Sequence, residues 1–178
     1  HIVCISDHTR QDLIQLLGVK QEKISVVHLG FSLTESIKEG VTNSRRPYFL
    51  HVGGRAGYKN FETLLRAYAG RSALAREFDL LAFGGGDFDA KERALIGALG
   101  LSDLRVRQVS GGDSILASLY AGAALFVYPS RYEGFGIPPL EAMSFDCPVV
   151  CSNSSSIPEV VDDAAAFFDP DSSDSIGD

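Results

Sequence analysis

Apolar residues along this chain fall into short runs separated by stretches of a longer period. Ile2 to Ile5, Ser25 to His28, Tyr48 to Gly53, Asp79 to Gly84, Arg105 to Val109, Ala124 to Tyr128 and Val149 to Ser152 are rich in Val, Ile and Phe. The later runs end in Gly, Ser or Pro clusters, as strands do where they turn. Between them, Phe61-Leu64-Leu65-Tyr68, Ile96-Leu99 and Ile115-Leu116-Leu119-Tyr120 recur at three- and four-residue spacing, which is what one buried helix face requires. The alternation predicts βαβ units, and so an α/β fold with a Rossmann-like, doubly wound parallel sheet. The polar, aperiodic stretch Glu39 to Pro47 predicts a linker between a leading segment, residues 1–46, and a main domain, residues 47–178. No internal repeat is present.

Composition narrows the function classes. A chain of 178 residues can bury one substantial core, and no apolar run is long enough to cross a bilayer. A formal net charge of −7 with sixteen dispersed basic residues argues against a nucleic-acid groove, so any anion site must be local. Cys4, Cys147 and Cys151 are odd in number and sit in or beside apolar runs. They read as reduced, buried thiols of a cytoplasmic protein, and Cys147 and Cys151 flank a strand rather than a zinc knuckle. The chain opens inside an apolar run at His1 and closes on the turn-rich Asp169 to Ser175, so a piece of something longer is expected.

In an open parallel sheet the loops after the strands carry the ligand site, here those after Val52, Gly84, Val109 and Tyr128. Gly53-Gly54-Arg55-Ala56-Gly57-Tyr58-Lys59-Asn60 combines glycines for close backbone approach with the cations Arg55 and Lys59, and Asn60 is placed to cap a helix at Phe61. It has neither the P-loop nor the dinucleotide glycine order. In Glu133-Gly134-Phe135-Gly136-Ile137-Pro138-Pro139-Leu140-Glu141, prolines suit the first helical positions, leaving the amides of Gly136 and Ile137 at the positive end of a helix, an anion site bracketed by Glu133 and Glu141. Each loop also has a plain reading, a Gly-rich turn with solvated cations and a helix start with dipole-favoured glutamates.

The spacing of Glu133 and Glu141 within Pro129 to Met143 resembles the signature of the retaining glycosyltransferase family four, of GT-B fold. The likeness runs over nearly the whole chain: Ser6-x-x-Thr9-x-x-Asp12-Leu13 with Val26 to Phe31, then Val52 to Arg55 with Tyr58-Lys59-Asn60, Gly84 to Asp87, Leu119 to Ala123, and Ser154 to Val160 follow in the family's order. The resemblance implies the C-terminal, donor-binding half of such an enzyme, with the acceptor domain lying ahead of Ile2. It implies a diphosphate held by Arg55 and Lys59 and the amides of Phe135, Gly136 and Ile137, beside Gly53 and Gly54. Glu141 would grip the ribose, Glu133 would lie near the donor sugar, and the backbone at Val109 would contact the base. Glu133, Arg55 and Lys59 are the implied catalytic residues, with no metal or cofactor.

The implied donor is a UDP- or GDP-linked hexose. The Gly57 to Asn60 loop is similar to that of bacterial polysaccharide mannosyltransferases, which points to GDP-mannose. The acceptor would be a saccharide or lipid-linked molecule, met at the inner face of the membrane by the longer protein. Tyr58 stands where the family often has Arg, and Asp162 where it commonly has Gly. Asp87-Phe88-Asp89 and Asp169-Pro170-Asp171 raise the rival of a metal-dependent transferase, though Asp87 also suits a helix cap and Asp169 a turn. A nucleotide-sugar epimerase of GT-B fold and a non-catalytic nucleotide-binding module are two further rivals.

Overall fold

The computed structural model describes residues 1–33 and 46–178. In chain order its elements are β1 (Ile2–Cys4), α1 (Asp7–Leu17), β2 (Ile24–Val26), β3 (Tyr48–Val52), α2 (Phe61–Gly70), α3 (Ser72–Glu77), β4 (Asp79–Phe83), α4 (Ala90–Ala98), β5 (Val106–Val109), α5 (Asp113–Gly122), β6 (Leu125–Tyr128), α6 (Ile137–Ser144), β7 (Val149–Ser152), α7 (Ile157–Val161), β8 (Ala166–Phe168) and α8 (Ser173–Gly177). Each predicted strand is present, with ends shifted by at most two residues. β8 was not predicted: three apolar residues cannot show a period of two, and the strand exists by pairing with β7, Val150 against Ala166 and Ser152 against Phe168. Of the predicted linker, Glu39 to Pro47, only Arg46 and Pro47 lie among the described residues.

Among the described residues two parallel sheets form: β1 with β2, and a six-stranded sheet in the order β5-β4-β3-β6-β7-β8. Counted within the larger sheet this is 3-2-1-4-5-6, the order of doubly wound nucleotide-binding folds. Side-chain alternation along β3 sends Tyr48, Leu50 and Val52 to one core with Leu116, Leu119 and Tyr120 of α5, Ala142 of α6 and Ile157 of α7. Leu80 and Ala82 of β4 face the other way, against Phe61, Leu64 and Leu65 of α2 and Ile96 of α4. Both sheet faces are therefore covered, as near-continuous apolar strands demand.

A histidine is among the polar side chains buried here. His51 of β3 is 0% exposed and packs on the Phe61 ring, with Nε2–H donating to the Gly54 carbonyl at 3.2 Å. Burial, aided by the cations Arg55 and Lys59 and opposed by nearby backbone carbonyls, lowers its pKa to about 4. The folded chain thus keeps His51 neutral where the unfolded chain would protonate it. Stability should be unaffected by this group above about pH 6.5 and fall between there and pH 4, by up to about 3 kcal/mol. Urea melts at pH 7 and pH 4.5 check this: His51→Gln should flatten the loss, and an unchanged slope would refute it.

Asp162, where the resemblance has glycine, keeps the turn at a φ of 48°, a conformation L residues seldom adopt.

Candidate functional site

The strand order reverses between β3 and β6: the chain builds outward through β4 and β5, then returns to the other side of β3. The loops leaving β3 and β6 therefore part, and the crevice between them is where an open α/β sheet binds ligands. Here the two loops are also tied together. The Tyr58 carbonyl accepts from the Arg131 amide at 2.8 Å, and the buried Asn60 side chain donates to the carbonyls of Pro129 (3.0 Å) and Pro170 (2.7 Å). The expected Asn60 cap is thus replaced by a cross-link: its φ is 62°, its side-chain amide reaches the β6 loop, and its side-chain oxygen accepts from the Thr63 hydroxyl rather than from a helix amide.

Across this crevice Lys59 Nζ meets Glu133 Oε1 at 2.7 Å, with both side chains largely buried. The ammonium also lies 5.2 Å from the Tyr58 ring and 5.9 Å from that of Tyr128. Tyr128 joins Lys59 to the helix start, since a Cβ added at Gly136 would sit 3.6 Å from its ring. Burial and the Glu133 carboxylate raise the Tyr128 phenol far above its ordinary pKa, so it stays a neutral donor. Gly136, at φ 99°, turns the chain into α6. Because Pro138 and Pro139 have no N–H, the mouth of that helix offers the amides of Gly136 and Ile137.

The loop from Pro129 to Gly136 is fastened from beneath by serines of the β7–α7 connection, residues whose positioning role the sequence reading missed. Ser152 donates to the Ser130 carbonyl, and Ser154 to that of Arg131 at 2.6 Å. The Ser155 hydroxyl accepts the Glu133 amide at 2.8 Å, while Ser156 shares its proton between the carbonyls of Glu133 and Phe135. The clustering of hydroxyls straight after a strand was the available signal.

Glu141 stands on the far side, toward α5. Its Oε2 accepts from the buried Tyr120 hydroxyl at 3.0 Å. Burial first and the neighbouring Asp113 charge raise its carboxyl above the usual range, against the Tyr120 bond, which lowers it. Glu133 is therefore engaged by the β3 loop and Glu141 by α5.

Arg55 goes elsewhere. Its side chain is 4% exposed and bonds Glu92 of α4 at 2.7 and 3.2 Å, with the carbonyls of Gly84, Gly85 and Asp87 at 2.7, 3.4 and 3.0 Å. Arg55 and Lys59, expected on one rim, thus point their charges into different networks. Both nevertheless line one cleft of about 380 Å³, with Gly54, Gly85, Asp87 and Glu92, while a larger hollow of about 440 Å³ behind Arg55, between α2 and α4, takes in none of Lys59, Glu133 or Glu141. The Val109 carbonyl accepts from the Gly84 amide at 3.1 Å and from the Gln108 side chain at 3.0 Å.

The Asp-x-Asp segments are engaged locally. Asp89, not Asp87, caps α4 in a capping box with Glu92, while Asp169 accepts from the Asp171 amide and Asp171 from Arg131. Among the described residues no His, Cys, Asp or Glu trio is grouped as metal ligands would be. The cysteines are buried and free. No helix among those residues is long and apolar enough to cross a membrane.

The leading segment leans on the same loop. Glu159 of α7 accepts the amides of Asp7 and His8 at the start of α1 and meets His28 at 2.7 Å. Burial alone would raise its carboxyl, but these bonds outweigh it and hold the group below the usual range. The His28 ring lies 5.7 Å from that of Phe135, and Tyr132 donates to Asp12.

A family model described as glycosyl transferases group 1 matches residues 33–178. The O-antigen chain mannosyltransferase B of Escherichia coli is 34% identical over 186 residues, covering 98% of this chain and 49% of that protein. Among solved structures, WaaG, a glycosyltransferase involved in lipopolysaccharide biosynthesis, superposes with a TM-score of 0.81 at 21% identity, over 98% of this chain and 51% of that one. HepE from Anabaena, in complex with UDP and glucose, gives 0.80 at 21% identity, over 98% and 51%. These two likenesses concern the fold. The chain spans half or less of the length of the curated relatives it matches.

Proposed function

Because this chain belongs to the group 1 glycosyltransferases, we propose that it is the donor-binding half of a retaining hexosyltransferase that uses a UDP- or GDP-linked sugar. One observation supports the reading: at the strand-order reversal, Lys59 pairs with Glu133, and both the Lys59 ammonium and Gly136 at the start of α6 adjoin the Tyr128 ring. A pyrophosphate there meets a cation on one side and helix-terminal N–H groups on the other. As the bond from the anomeric carbon to the diphosphate oxygen breaks, negative charge grows on that oxygen. Lys59 and the amides of Phe135 to Ile137 stand ready to stabilise it without rearranging. Lys59 is paired with Glu133 beforehand, so the incoming phosphate shares the ammonium and leaves Glu133 facing the sugar. Glu141, ionised, accepts from the ribose hydroxyls.

The transferases among the relatives support transfer over isomerisation, and the mannosyltransferase of E. coli supports a mannosyl donor. O-antigen synthesis, named for the E. coli relative, supports a saccharide or lipid-linked acceptor at the cytoplasmic face of a membrane, met by the remainder of a full-length protein. In this scheme the protein's own donors hold the diphosphate and no metal or cofactor is used.

Calorimetry on the chain tests the proposal. UDP or GDP should bind more tightly than its nucleoside by at least about tenfold, with or without a chelator. Affinity should decline as pH falls through a value above the ordinary glutamate range, where Glu141 gains its proton. Equal affinity for nucleoside and diphosphate would remove the phosphate assignment.

A further inference from the structure

We infer that Arg55 and Glu92 form a positioning pair that sets the shape of the cleft floor, with Arg55 serving two loops rather than a phosphate; this rests on the donor-cleft reading above. Arg55 comes from the loop after β3, Gly84 to Asp87 from the loop after β4, and Glu92 from α4, so one guanidinium joins three elements. Both Glu92 oxygens accept from it, and its fork gathers the carbonyls of Gly84, Gly85 and Asp87, while its plane lies 4.9 Å from the Phe88 ring. A ligand that drew on this guanidinium would compete with Glu92 and the loop carbonyls for it, and pulling it away would leave a carboxylate without its partner.

The loop is built to receive this cation. Gly84, Gly85 and Gly86 have φ values of 84°, 69° and 72°, a run that only glycine adopts without strain. A Cβ at Gly85 would stand 2.7 Å from the Arg55 guanidinium. The same loop fixes neighbouring strand ends, since the Gly84 amide donates to the Val109 carbonyl and the Gly53 amide to that of Phe83. Arg55 and Glu92 therefore hold the ends of β3, β4 and β5 at one level, which is the side of the cleft that faces the nucleoside. A lysine cannot substitute, because its single ammonium lacks the planar fork that reaches carboxylate and carbonyls together.

The test is calorimetry of the chain with uridine, UMP and UDP, and with the guanosine series, for wild type, Arg55→Lys, Glu92→Gln, Glu92→Asp and Lys59→Gln. For a positioning pair, Arg55→Lys and Glu92→Gln lose affinity by a similar factor, on the order of tenfold, for nucleoside, monophosphate and diphosphate alike. Glu92→Asp, which keeps the carboxylate, recovers part of the loss. Lys59→Gln loses affinity only for the phosphorylated ligands. Loss in Arg55→Lys that grows with each phosphate, with Glu92→Gln at wild-type affinity, overturns the inference and makes Arg55 a phosphate ligand.

Hydrogen exchange of the Gly84 to Phe88 amides provides a readout that needs no ligand. It should accelerate in Glu92→Gln while the β6 loop amides stay protected, and unchanged exchange there overturns the pair's role. A wild-type chain that binds none of these nucleotides removes the donor-cleft reading instead, and the exchange data then decide whether the pair shapes the loop.

Discussion

Lys59→Ala should weaken binding of a nucleoside diphosphate by about ten- to a hundredfold, the value of one or two charge-assisted hydrogen bonds, and leave the nucleoside's affinity nearly unchanged. The large end of that range has a local cause. Lys59 is the ion-pair partner of Glu133 at 2.7 Å, so its removal both deletes a cation and leaves a carboxylate facing the anion site. The second effect is separable: Lys59→Ala with Glu133→Gln should bind the diphosphate better than Lys59→Ala alone. Calorimetry on the two variants and on Glu133→Gln completes the cycle. A double variant no better than the single would mean that Glu133 does not sense the phosphate.

The largest loss of stability expected from one polar substitution belongs to Glu92→Ala. It strands a guanidinium whose side chain is 4% exposed and breaks the capping box at the start of α4. Removing one partner of a buried pair costs about 3 kcal/mol or more, which for a chain of this size lowers the melting temperature by roughly 10 °C. Replacing both partners with apolar residues, Arg55→Met with Glu92→Leu, should regain stability over Glu92→Ala even though it cannot restore the loop. Thermal melts of the variants decide this, and a double variant that melts below Glu92→Ala would show that the loop carbonyls, rather than the stranded charge, dominate the cost.

The fold was legible because its causes are local. Apolar strands bounded by glycine and a helix face repeated every three to four residues can be read one segment at a time, and Lys59, Glu133 and Glu141 stand at strand and helix ends where such a sheet exposes them. What escaped depends on distant pairing. Nothing near Arg55 in the sequence tells that Glu92, thirty-seven positions on, takes its charge; the Asp89 to Glu92 capping box was visible but spoke only of a helix start. Asn60 looked like a cap because caps are local, whereas its amide is used by Pro129 and Pro170. His51 reads as an ordinary strand residue until the helix carrying Phe61 is laid over it. β8 was missed because three residues carry no period.

The serine fastening bears on how such enzymes can be recombined. The backbone of the Glu133 loop is bonded to hydroxyls from Ser152 to Ser156, beyond the end of α6, so its conformation is written partly in a segment outside the Glu133 to Glu141 motif. A graft exchanging donor preference between homologues should therefore carry residues 129–161 as one block. Cut after α6, the transplanted loop would land on a foreign foundation and lose its geometry even with every motif residue intact.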